Sequence, residues 1–67
     1  MDMRVEAEKI FHNDELSKQE KISRLKELAY DCQQELDAQE QNMQPGVQHK
    51  LSEGLRMAKN FIRELEK

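Results

Sequence analysis

The residues of this chain that could do chemistry are two histidines, one cysteine and a row of basic side chains. His49 and Glu53 stand four apart, which on a helix places both on one face and offers half of a metal site. A zinc centre needs four ligands, or three and a water, and no third candidate stands nearby at helical spacing. His12-Asn13-Asp14-Glu15 is ligand-like by composition only and reads better as a turn between helices. No nucleophile is spaced with a base, and no glycine-rich loop is present to cradle a phosphate. The expectation is a protein that is not an enzyme and holds no metal or cofactor.

Arg56, Lys59, Arg63 and Lys67 recur every three or four residues, with His49 and Ser52 continuing the line. Such a stripe is most often a solvated helix face. Its sharper readings are an acidic partner or nucleic-acid phosphate. No aromatic side chain interleaves with it, which weakens a base-stacking mode. The chain as a whole carries a formal charge of -3, and only residues 47–67 have more basic than acidic side chains. The charge balance therefore argues against a nucleic-acid partner. The lone Cys32 cannot close an internal disulfide and falls on an apolar stripe. Its natural role is a small buried hydrophobe in a reducing cytoplasm.

The elements that would carry these residues are helices. In 67 residues, 37% charged and 36% apolar, with no Trp and little alternation, strands have no support. From Ile22 to Met43 the chain repeats every seven residues. Ile22, Ala29, Leu36 and Met43 take one set of heptad positions, and Leu25, Cys32 and Gln39 take the other. Ser17-Lys18-Gln19-Glu20 stands directly before that run as a capping box. In such a box the Ser17 hydroxyl accepts from the Glu20 amide and the Glu20 carboxylate reaches back to the Ser17 amide.

Gln44-Pro45-Gly46 then interrupts the repeat, and a second stripe follows through Val47, Leu51, Leu55, Ala58, Phe61, Ile62 and Leu65. Gly54 lies within that stripe at a cost of up to about 1 kcal/mol relative to Ala, which a close-approaching helix would justify. A short leading segment with Met3, Val5, Ala7, Ile10 and Phe11 is helical only if docked, being marginal by itself.

The pattern predicts an all-α fold of one domain, residues 1–67, with helices over 2–12, 18–43 and 47–66. The two long helices form an antiparallel hairpin folded about Pro45. That register sets Leu36 near Gly54, Cys32 near Ala58, Ala29 near Phe61, Leu25 near Leu65 and Gln39 near Leu51. Met43 and Met57 read as gap-fillers in the core. Leu28 widens one stripe, and Leu55, Met57 and Ile62 widen the other beyond what a single partner helix can hide. The surplus must be covered by the leading helix, a second copy or another protein. Tyr30 projects almost opposite the first stripe, where it is either a solvated side chain, a contact anchor or a residue covered by Ile10 and Phe11. The candidate partner-binding residues are thus Leu28, Tyr30, Leu55, Met57 and Ile62.

No apolar run approaches the roughly 20 residues of a membrane span, and Met1-Asp2-Met3-Arg4 lacks the layout of a signal peptide. A cytoplasmic protein is expected.

The stretch Leu25 to Leu36 reads Leu-Lys-Glu-Leu-Ala-Tyr-Asp-Cys-Gln-Gln-Glu-Leu, followed by a proline-containing break and another helix. Over residues 18–67 the chain resembles the small E-type co-chaperones of type III secretion needle subunits. The matching positions are Leu28, Ala29, Cys32, Glu35 and Leu36, and residues 1–16 have no counterpart in the resemblance. That resemblance implies a helical hairpin in the bacterial cytoplasm. It would bind a helical-repeat (TPR-like) chaperone, and the two together would keep a virulence-associated needle subunit soluble and unpolymerised. Two other readings share the same pattern. One is a dimeric four-helix-bundle RNA-binding regulator using the basic face of the last helix. The other is a homodimeric structural bundle.

Overall fold

A computed structural model describes residues 3–38 and 45–67. Those residues form three helices and no strand: α1 Met3–Phe11, α2 Lys18–Ala38 and α3 Pro45–Glu66. Each helix packs on the other two.

α1 ends where His12 donates to the Glu8 carbonyl at 2.9 Å, one residue short of the expected boundary at 12. The link to α2 is ordered by Asn13, whose Oδ1 accepts from the Glu15 amide at 2.9 Å while its carbonyl accepts from Leu16. This short side chain holding its own backbone two residues on is what makes Asn a turn former. The expected turn at 12–15 is present.

α2 starts at Lys18, as the capping box requires. The Glu20 amide donates to Ser17 Oγ at 3.2 Å, and Lys21 donates to the Ser17 carbonyl at 2.9 Å to begin the helical ladder. The returning half of the box differs from expectation. The Glu20 carboxylate accepts from the Ser17 hydroxyl itself, at 3.2 Å, so the two side chains lock one hydroxyl in the capping orientation. Replacing Ser17 by Ala should lower stability by about 0.5–2 kcal/mol, read by urea denaturation. A cap of no consequence would leave the midpoint unmoved.

Ile22, Leu25 and Cys32 are buried on α2, with Ala29 and Leu36 half-buried, so the seven-residue repeat does mark the inward face. The expected continuation of α2 to 43, with Gln39, Glu40 and Met43, lies outside the described residues, as does Asp2.

The start of α3 corrects the sequence reading. The helix begins at Pro45, not at 47, so Pro45 and Gly46 are its first residues and not its preceding turn. Proline has no amide to lose at a first helical position, and its fixed φ is already helical. No described glycine takes a positive φ, so Gly46 is not used for a left-handed turn.

The core is a cluster of Ala7, Leu25 and Ala58, one fully buried side chain from each helix. Ile10, Leu28, Ala29, Met57, Phe61, Ile62 and Leu65 pack around it half-buried. Small residues at two of the three central positions let the three backbones come close.

Candidate interaction surface

Part of the surplus apolar flank is covered from within the chain, and Leu28, Leu55, Met57 and Ile62 stay half-buried. α1 lies along α3 in the same sense. Met3 sits over Gly54, Ala7 shares a cluster with Ala58, and the Phe11 ring stacks on Phe61 at 4.3 Å and 14°. His12 meets both rings edge-on, at 5.1 Å from Phe11 and 6.5 Å from Phe61. A methyl group at Gly54 would lie 2.6 Å from Met3 Cβ and 3.3 Å from the Met3 carbonyl carbon. Gly54 is therefore required by a close approach, as its position in an apolar stripe suggested, and the helix that closes on it is the short α1.

Leu28, Met57 and Ile62, named from sequence as partner-binding, pack against the chain's own core, and each is half-buried. Leu55 is also half-buried on α3. Tyr30 is set apart from them. It is 65% exposed on α2, so Ile10 and Phe11 do not cover it, and Phe11 instead faces Phe61. Val5 and Val47 are the other large apolar side chains left exposed among the described residues. Sequence reasoning did not single out this pair. Val47 lines a shallow dent of about 280 Å³ together with Met3, Lys50 and Leu51. The signal for it was available in the stripe through Val47 and Leu51, but its wall from Met3 depended on where α1 docks.

The basic residues Arg56, Lys59, Arg63 and Lys67 are exposed. Lys67 reaches Glu64 at 3.3 Å, and both are solvated, so the pair adds little to stability. His49 Nε2 approaches Glu53 Oε1 at 3.9 Å across one helical turn, on an exposed face. Among the described residues no group of three or more His, Cys, Asp or Glu side chains is placed to hold a metal ion. None of the described helices is long and apolar enough to cross a membrane.

Cys32 is fully buried on α2 as a free thiol. Burial raises its pKa, and the neighbouring Asp31 carboxylate pushes the same way. The sign of the consequence is fixed. The folded chain holds the thiol proton to a higher pH than the unfolded chain does, so above about pH 8.5 the unfolded state binds fewer protons and stability falls. Below that range the thiol adds no pH dependence. Urea melts at pH 7 and pH 10 should show a larger loss for the wild type than for Cys32→Ala. Both chains keep the same lysines and tyrosine, so the difference isolates the thiol.

No protein-family profile, no curated protein and no solved structure matches the chain.

Proposed function

We propose that this chain is a non-enzymatic co-chaperone that acts as a helical adaptor. In this reading α2 and α3 form an antiparallel hairpin, α1 folds over one side, and the outer surface docks onto a helical-repeat chaperone in the bacterial cytoplasm. Through that chaperone it keeps a type III secretion needle subunit soluble and unpolymerised. The observation that carries the adaptor reading is Tyr30, a large aromatic side chain held out in water on a well-formed helix. Aromatic residues are enriched among those that dominate interface energies, and a rigid helix presents one at little entropic cost. The resemblance of residues 25–36 to needle co-chaperones supplies the partner. The burial of Cys32, with Leu28, Ala29 and Leu36 half-buried, agrees with the mainly core role that those positions take in the resemblance.

Tyr30 is also the cleanest probe, because Met57 and Ile62 contribute to the chain's own packing. In co-expression with a needle-associated repeat chaperone, the wild-type chain should co-purify. Tyr30→Ala should weaken the complex about tenfold, equivalent to about 1.4 kcal/mol, with helicity unchanged. Changes at Arg56, Lys59 and Arg63 should matter far less. The exposed basic stripe favours the RNA-binding reading in one outcome only. That outcome is loss of activity on neutralising the stripe, together with RNA retention that falls steeply with salt.

A further inference from the structure

Charge is divided between the two long helices. Over residues 27–38, α2 carries Glu27, Asp31, Glu35 and Asp37 and no Lys or Arg. Over residues 54–63, α3 carries Arg56, Lys59 and Arg63 and no Asp or Glu. Each of these side chains is exposed, because the helices turn Ile22, Leu25 and Cys32 of α2 and Leu51 and Ala58 of α3 inward. Among the described residues no ion pair joins the acidic block to the basic one. Opposite charges stand on one chain and do not meet within it.

The two blocks share a pitch. Glu27 and Asp31 stand four residues apart, as do Lys59 and Arg63, which is about 6 Å along a helix axis at 1.5 Å per residue. Two such helices laid side by side, in either sense, bring both pairs of opposite charges into register. Tyr30 lies three residues from Glu27 and next to Asp31, and it is 65% exposed. The face of an aromatic ring attracts an ammonium or guanidinium group, so the ring and the two carboxylates favour the same cationic visitor. The outer face of α3 supplies such cations at the required spacing.

We propose that a second copy of this chain docks head to tail, laying Lys59 and Arg63 of its α3 against Glu27, Tyr30 and Asp31 on α2 of the first. The contact is heterologous. It leaves a basic row free on one copy and an acidic row free on the other, so association continues past two copies as concentration rises. Exposed ion pairs are weak one by one and are screened by salt, so the assembly belongs to high protein concentration and low ionic strength. This goes beyond the adaptor reading and takes nothing from it. Its test uses the isolated chain, so a wrong chaperone and a wrong self-contact give different results.

Sedimentation velocity at rising concentration reads the assembly directly. At an ionic strength of about 0.01 M, where charges act over about 30 Å, the average mass should climb past that of a dimer. At about 1 M, where they act over about 3 Å, it should return to the monomer. Glu27→Lys with Asp31→Lys, or Lys59→Glu with Arg63→Glu, should each weaken association about tenfold or more, as expected when each contact sets like charges together. All four changes in one chain exchange the two rows, leave the formal charge at -3, and should restore association. An equimolar mixture of the two double variants should restore it as well, and that arm stands even where the fourfold variant does not fold. Tyr30→Ala, which alters no charge, should weaken association about threefold. A chain that stays monomeric at low salt, or a dimer indifferent to salt, overturns the proposal. So does a mixture or a folded fourfold variant that fails to associate, or association unchanged by Tyr30→Ala.

Discussion

Leu25→Ala should remove about 2–5 kcal/mol of stability, the largest loss expected from any single truncation in this chain. Leu25 is the largest fully buried side chain and shares one cluster with the fully buried Ala7 and Ala58 of the other two helices. Its truncation removes the transfer free energy of the lost methylenes and leaves a void that Ala7 and Ala58 are too short to fill. A domain of this size has a total stability of roughly 3–10 kcal/mol, at about 0.05–0.15 kcal/mol per residue. The variant should therefore be substantially unfolded at 37 °C, with the loss visible in far-ultraviolet circular dichroism. Arg56→Ala, on the exposed face of α3, should stay within about 0.5 kcal/mol of wild type. Similar midpoints for the two variants would show that the centre of the fold lies elsewhere.

Ala58→Leu acts in the opposite direction in space and should cost about 1–3 kcal/mol. Ala58 is fully buried against Ala7 and Leu25, so three extra carbons must push a neighbouring helix away or take a poor rotamer. α1 is the lightest of the neighbours and should move first. Thermal denaturation should show the lowered midpoint, and limited proteolysis should cut within residues 3–17 sooner than in wild type. A neutral or stabilising result would mean that the space beside Ala58 is not filled.

Much of this arrangement was legible in the residues. Ser17 announced the start of α2 because a capping box has a fixed spacing that few other structures need. Ile22, Leu25 and Cys32 announced its inner face because the period is locked to the helix geometry. What was not legible involved α1. Its nine residues carry too little pattern to define a face, and its docking depends on the shape of α3 and not on its own propensity. The destination of the surplus apolar flank could therefore not be read from spacing. Leu28, Met57 and Ile62 were named as surface for a partner, and each packs on a core that includes α1's Ala7. Pro45 was read as a stop because proline both ends helices and begins them, and only the backbone that follows decides which. Tyr30 remained readable because a side chain almost opposite the stripe has nowhere inward to go.

Gly54 sets local and tertiary preference against each other at a single position. Any other residue there except proline would make α3 a better helix in isolation, by up to about 1 kcal/mol for alanine. Only glycine leaves room for Met3. The middle of α3 is thus weakest as a free segment at the very place where the shortest helix comes to rest. By thermodynamic reciprocity the docking of α1 and the order of the centre of α3 support each other, whereas a side chain added at this residue raises the helix propensity of α3 and evicts α1 by collision with Met3. Selection for helix stability alone would remove Gly54. Its presence records that the bundle is specified by three helices together.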